Sequence, residues 1–126
     1  MSVQYPWPTY EIRVNTTFPL GEYDYRVPDL AIGRRVDDWV SPGDLLLMVE
    51  VARTSLKRDL AEKAVTYASW GASTYWVVDV AGRRVVVFSD RGPQRYASVT
   101  QVESTETIEL PGLGSRIPVA DILTAP

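Results

Sequence analysis

The chain has 126 residues, of which 45% are hydrophobic, and a formal net charge of −3. It contains no cysteine and no histidine, which excludes disulfides, thiolate or imidazole metal sites, thiol nucleophiles and serine–histidine triads. Any catalysis must therefore use carboxylates, lysine, hydroxyl groups or a metal ion with oxygen ligands, such as magnesium. The length suits a single domain over residues 1–126.

The charge is distributed unevenly along the chain. Residues 99–126 hold four acidic residues against Arg116 alone, which leaves twelve acidic and twelve basic residues in the remainder. This acidic tail argues against a broad nucleic-acid-binding face and leaves room for a local one. The N-terminus has no signal-peptide pattern and no apolar run is long enough to span a bilayer, so we expect a cytoplasmic protein without a membrane partner.

The first half of the chain predicts strands. The proline-containing first 26 residues predict extended or irregular structure with one strand at 10–15, and "VPDLAIG" at 27–33 predicts a short strand. "SPGD" at 41–44 predicts a turn leading into "LLLMVEVA" at 45–52, a strand buried on both faces. Glu50 interrupts this apolar run, so either it lies at the mouth of the strand or a cation meets it.

A helix and a hairpin follow. Thr54 or Ser55 is a suitable helix cap, Gly71 is a suitable stop, and apolar residues recur at intervals of three and four between them, namely Leu60, Ala61, Ala64, Tyr67 and Ala68. "STYWVVDV" and "RRVVVFS" predict two hairpin strands, with Asp79 shaping the turn. Residues 95–102 and 107–110 are weaker strand candidates, and "PVADIL" predicts one helical turn.

Asp29 and Glu50 lie on consecutive predicted strands and converge if those strands are neighbours. Two carboxylates about 4 Å apart repel by roughly 4 kcal/mol at an effective dielectric constant of 20, and a divalent cation would offset this repulsion. Asp59 and Lys63 are four residues apart and share one helical face. Lys63 could then orient or deprotonate a water molecule, or neutralise charge on a phosphate.

Each of these residues also has a purely structural interpretation. Asp29 after a proline is typical of a turn, Glu50 could simply emerge at a strand end, and Asp59 with Lys63 could be a surface ion pair. The four tryptophans are more typical of core and rim packing than of a platform for stacking bases. Spacing alone leaves these alternatives open.

The combination of motifs resembles the Uma-type restriction endonuclease family of the PD-(D/E)XK nuclease superfamily. The resemblance rests on "VPDLAI" at 27–32, "LLLMVEVARTS" at 45–55 and "RDLAEKAVTYASWGASTYWVVDVAGRRVVVF" at 58–88. The matching positions are Pro28, Asp29, Glu50, Val51, Ser55, Asp59, Lys63, Tyr67, Gly71, Tyr75, Trp76, Val78 and Asp79. It implies an α/β, restriction-endonuclease-like fold: a mixed central sheet with a crossover helix and peripheral β-hairpins.

The resemblance also implies roles for individual residues. Asp29 and Glu50, with the backbone carbonyl of Val51, would bind Mg²⁺ or Mn²⁺, and Asp29, Glu50 and Lys63 would be the catalytic residues. The superfamily lysine normally stands two residues after the glutamate, where this chain has Ala52, so Lys63 is interpreted as its substitute.

The remaining predicted site residues support this centre. Ser55 and Asp59 would cap and orient the helix behind the metal ligands. Five basic residues that cluster in the sequence around the motifs are candidates for contacts with the phosphate backbone of DNA, namely Arg34, Arg35, Arg53, Lys57 and Arg58.

The predicted function is metal-dependent endonucleolytic hydrolysis of DNA phosphodiester bonds. The alternative is a catalytically inactive module of the same fold for nucleic-acid or protein interaction, as a homodimer through exposed β-structure. Family members usually carry a longer N-terminal segment with a helix and a further acidic residue facing the site, for which Glu11 and Glu22 are the candidates here.

Overall fold

The computed structural model describes residues 10–14, 18–19, 25–26, 29–34, 45–53, 56–112 and 114–123. In chain order the strands are β1 (Tyr10–Val14), β2 (Phe18–Pro19), β3 (Tyr25–Arg26), β4 (Leu30–Arg34), β5 (Leu45–Ala52), β6 (Thr74–Asp79), β7 (Arg84–Arg91), β8 (Tyr96–Glu103), β9 (Thr107–Glu109) and β10 (Arg116–Pro118). Residues 56–70 form one helical stretch, called the crossover helix below, and Val119–Leu123 form a short C-terminal helix.

Six of these strands form a central sheet in the order β1-β4-β5-β6-β7-β8. Neighbours are antiparallel except β5 and β6, which pair in parallel from Leu47 opposite Thr74 to Ala52 opposite Asp79. A parallel pair needs a long connection, and the crossover helix supplies it. Two small antiparallel pairs, β2 with β3 and β9 with β10, lie outside the sheet. The mixed sheet, the crossover helix and the peripheral hairpins are therefore confirmed.

Both faces of the central strands are buried, which explains the unbroken apolar run at the start of β5. One face packs against the crossover helix through Met48, Ala52, Tyr75 and Val77 of the sheet. The opposite face packs against β9 and the C-terminal helix in a cluster formed by Ile32, Leu47, Val49, Trp76, Val78, Val85, Ile108 and Val119. Alternate residues of β5 thus face different layers, and Glu50 falls between Met48 and Ala52 on the helix side.

The crossover helix is not a regular α-helix throughout. It is α-helical over Leu56–Arg58, π-helical over Asp59–Lys63 and α-helical again over Ala64–Trp70. The wider turn shifts the helical periodicity. Ala61, one of the residues of the predicted apolar pattern, is exposed, whereas Asp59 is buried.

The helix ends where the sequence predicted. Gly71 takes the left-handed conformation at φ 113° and donates its backbone N–H to the carbonyls of Tyr67 and Ala68. The predicted caps Thr54 and Ser55 lie outside the described residues.

The hairpin, β8, β9 and the C-terminal helical turn also agree with prediction. The Asp79 carboxylate accepts a hydrogen bond from the Gly82 N–H at 2.9 Å, which closes the turn between β6 and β7. The strand β10 was not predicted; it pairs with β9, placing Ile117 opposite Ile108. Among the described helices, none combines the length and apolar character needed to cross a membrane.

Candidate active site

Glu50 is the centre of a buried polar cluster between the sheet and the crossover helix. It is 4% exposed, so the interpretation that it merely emerges at a strand end is wrong. Burial raises the pKa of Glu50, although hydrogen bonds from Lys63 and Tyr67 act to lower it. The carboxylate is therefore met by a cation supplied by the protein itself.

That cation is Lys63. Its Nζ lies 3.1 Å from Oε2 of Glu50 and 3.0 Å from Oδ1 of Asp59, so one ammonium contacts two carboxylates. Burial alone would lower the pKa of Lys63, but its hydrogen bonds and charge interactions with Asp59 and Glu50 outweigh burial and raise it. The ion pair of Asp59 with Lys63 is not a surface pair, because the Asp59 side chain is 1% exposed.

The π-helical turn determines the positions of Asp59 and Lys63. Asp59 and Lys63 are its first and last residues, and its Asp59 carbonyl accepts a hydrogen bond from the Tyr75 hydroxyl at 3.0 Å. Asp59 had been predicted to cap the helix, but the helix already begins at Leu56 and the Asp59 carboxylate pairs with Lys63 instead. Asp59 therefore contacts the lysine that pairs with Glu50.

Asp29 lies across from Glu50 at the start of β4. The β4–β5 register pairs Leu30 with Val49, and continuing it by one residue places Asp29 opposite Glu50. Oδ2 of Asp29 accepts a hydrogen bond from the Val51 N–H at 2.6 Å, so its carboxylate reaches the end of β5. The charge of Asp29 also raises the pKa of Glu50, although less than burial does. The two predicted strands are neighbours, and their acids face the same strand end.

Val51 presents its backbone to Asp29. In an antiparallel pair the N–H and C=O of one residue point toward the same neighbouring strand. Since the Val51 N–H points to Asp29, its carbonyl lies on that side of β5 as well. Its side chain is on the sheet face opposite Glu50, so the backbone is the part of Val51 that could bind an ion.

The predicted basic residues are only partly brought together. Arg53, Lys57 and Arg58 follow the end of β5 and are exposed. Arg34 is the last residue of β4, at the opposite end of that strand from Asp29. Arg35 and Ser55 lie outside the described residues.

A cleft of about 430 Å³ opens beside the cluster, lined by Arg58, Glu62, Lys63 and Thr66. Lys63 is 27% exposed, whereas the Glu50 and Asp59 side chains are almost completely covered. The cleft therefore gives access to the cluster through the lysine, with Arg58 as a second cation at its wall.

Tyr67 was predicted from the sequence as part of the helical periodicity and of the family motif, but it was not among the predicted site residues. Its hydroxyl donates a hydrogen bond to Oε1 of Glu50 at 2.9 Å. The signal was available in the helical spacing, because Asp59, Lys63 and Tyr67 follow one another at intervals of four and so share one face.

The protein has a mixed sheet in which a helix connects the two parallel strands, and an acidic residue lies near the end of the first of these strands. This arrangement defines a restriction-endonuclease-like nuclease fold. The chain belongs to the family described as "Uma2: Putative restriction endonuclease", whose model matches residues 8–120. No match is found among curated proteins.

The fold is also similar to a solved structure. This is the crystal structure of "a putative nuclease belonging to DUF820" from Anabaena variabilis ATCC 29413, with a TM-score of 0.67 and 13% sequence identity. The match covers 94% of this chain and 70% of that chain. At this level of identity, the similarity supports the fold alone.

Proposed function

We propose that the protein is a metal-dependent endonuclease that hydrolyses DNA phosphodiester bonds, with Mg²⁺ or Mn²⁺ bound by Asp29, Glu50 and the Val51 carbonyl. Membership of a family described as restriction endonucleases supports the nuclease class. The observation that carries the proposal for this chain is the convergence of Glu50, Lys63 and Asp29 at the end of β5.

The donor set fits a hard divalent cation. All the candidate ligands are oxygen atoms, which Mg²⁺ and Mn²⁺ prefer. Asp29, Glu50 and Asp59 have three formal negative charges against the single positive charge of Lys63, so a divalent ion bound by Asp29 and Glu50 would balance the formal net charge. Among the described residues no three acidic side chains are grouped closely enough to hold a metal by themselves. Two carboxylates and one carbonyl leave positions for water and phosphate oxygens, as is usual for Mg²⁺.

The metal ion and the protein side chains would have separate roles at this centre. A bound metal ion would polarise the phosphate and lower the pKa of a coordinated water. Lys63 is held as an ammonium by two carboxylates, which favours neutralising charge on the phosphate over accepting a proton from water. Arg58 lines the same cleft as Lys63, and its guanidinium would contact a neighbouring phosphate of the backbone.

Nicking of supercoiled plasmid DNA with Mg²⁺ or Mn²⁺ tests this proposal. Glu50→Gln and Lys63→Ala should lose at least 100-fold in rate, since each removes a charge from the centre. Lys57→Ala is the matched control, because Lys57 lies exposed on the same helix and should affect DNA affinity at most. Wild-type protein that cuts no faster than Glu50→Gln with either metal would refute the enzymatic proposal.

Metal binding can be tested separately by thermal unfolding. A ligand at 100 times its Kd stabilises the folded state by about 2.7 kcal/mol, which is several degrees in Tm. Mn²⁺ should produce such a shift in wild type and not in Asp29→Asn. This variant is informative because the asparagine carbonyl can still accept the hydrogen bond from Val51, so only the charge is lost.

A catalytically inactive binding module is the second candidate, and the observation that favours it is Ala52 at the position of the superfamily lysine. It predicts that wild type and Glu50→Gln bind a labelled DNA duplex or a protein partner equally well without metal. If replacing Arg58 abolishes DNA binding, the protein binds DNA through this residue. The nicking assay then shows independently whether the bound DNA is also cut.

A further inference from the structure

The hydroxyl of Tyr67 engages one of the two oxygens of Glu50. Tyr67 is 1% exposed and donates to Oε1 at 2.9 Å, while Lys63 contacts Oε2 at 3.1 Å. The two partners differ in exposure. The lysine is partly exposed on a flexible stem at the cleft, whereas the tyrosine is enclosed in the core.

Tyr67 is itself held by aromatic packing. Its ring meets Tyr75 edge-on, with centroids 5.1 Å apart and an interplanar angle of 69°, and Tyr75 stacks on Phe88 at 5.4 Å. Tyr75 also donates to the carbonyl of Asp59, in the turn that carries Lys63. The two tyrosines therefore link the sheet, the π-helical turn and the Glu50 carboxylate into one packed unit.

We propose that Tyr67 is a positioning residue that fixes the orientation of the Glu50 carboxylate, so that Oε2 on the Lys63 side is presented to the metal ion. This inference rests on the proposed function. A carboxylate free to rotate in the core would present either oxygen, and ordering it on metal binding would weaken affinity. Groups that hydrogen-bond to metal ligands typically change metal affinity by 10–100-fold when removed.

The test is Tyr67→Phe, which removes the hydroxyl and leaves the ring packing. Mn²⁺ binding, measured by isothermal titration calorimetry, should weaken by about 10–100-fold. Nicking should recover to within a few-fold of wild type when Mn²⁺ is raised to saturation, because Tyr67 acts through Glu50 and does not touch the phosphate.

Tyr96→Phe is the matched control. Tyr96 is buried at the far end of the same row of aromatic rings, 5.9 Å from Phe88, and its hydroxyl donates to the Ala72 carbonyl at 2.7 Å. It should lower Tm by a similar amount to Tyr67→Phe while leaving Mn²⁺ affinity unchanged. Circular dichroism at the titration temperature verifies that both variants are folded.

The outcomes are distinct. Equal Mn²⁺ affinity in Tyr67→Phe and wild type would overturn the positioning role and leave the nuclease proposal intact. Equal weakening in both tyrosine variants would also overturn it, because the effect would then follow stability. Wild type that binds no Mn²⁺ and cuts no DNA would overturn the proposed function, and the positioning role with it.

Discussion

Replacing Lys63 by methionine would remove the ammonium shared by Glu50 and Asp59 and keep a side chain of similar shape. At N···O distances of 3.1 and 3.0 Å, each contact corresponds to a gross attraction of about 5 kcal/mol at an effective dielectric constant of 20. Desolvation cancels much of this, and removing one partner of a buried ion pair costs about 3–5 kcal/mol in net stability. Because Lys63 is 27% exposed, water can reach the carboxylates in the variant, and we expect a loss of about 3 kcal/mol.

The loss should depend on pH. Without Lys63, the pKa of Glu50 rises further, since the hydrogen bond and charge of that lysine act to lower it. An acid whose pKa is higher in the folded than in the unfolded state destabilises the fold once it ionises. The penalty from Glu50 is therefore larger at neutral pH than in acid, and it disappears as the pH falls below the ordinary value of 4.5.

Urea unfolding at pH 7 and pH 4, followed by circular dichroism, measures both effects. Lys57→Met provides the control, because Lys57 is exposed and its replacement should change stability by at most about 0.5 kcal/mol. A Lys63→Met variant within about 1 kcal/mol of wild type at pH 7 would contradict the reasoning from buried charges. So would a loss of equal size at both pH values.

Three further predictions concern stability. Gly82→Ala should lower the free energy of unfolding by about 1–3 kcal/mol in a urea titration, because the added Cβ would collide with the Asp79 carboxylate, whereas Ala81→Ser in the same turn should be neutral. Gly71→Ala should lower it by about 1–2 kcal/mol in thermal unfolding, since alanine is strained at φ 113°. The pKa of Lys63 is raised in the folded state, so the stabilising contribution of Lys63 is complete below pH 10.5 and is lost as the pH rises through the folded pKa. The difference in the free energy of unfolding between wild type and Lys63→Met should therefore shrink in alkaline urea titrations.

The elements predicted from the sequence are those with strong local signals. The run "TYWVVD" is rich in β-branched and aromatic residues, and β6 is buried along its whole length. Gly71 ends the crossover helix because glycine tolerates the left-handed conformation better than other residues. In each case the residue types favour the local structure that is observed.

The features that sequence alone did not predict depend on tertiary contacts. The π-helical turn is joined to the sheet by the bond from Tyr75 to the Asp59 carbonyl, between residues 16 positions apart. The spacing of Asp59 and Lys63 is the same for an exposed pair and a buried one, and only the position of the helix on the sheet decides between them. Because this pair is packed beside Glu50, its charges interact with the Glu50 carboxylate.

The absence of a lysine two residues after Glu50 has a structural explanation. Ala52 is 1% exposed and lies on the helix side of the sheet, so a lysine there would have to enter a packed core. Lys63 approaches the same face from the helix above, and its ammonium reaches Oε2 of Glu50 while remaining partly open to the cleft. The cation partner of Glu50 is therefore supplied by the crossover helix and not by β5.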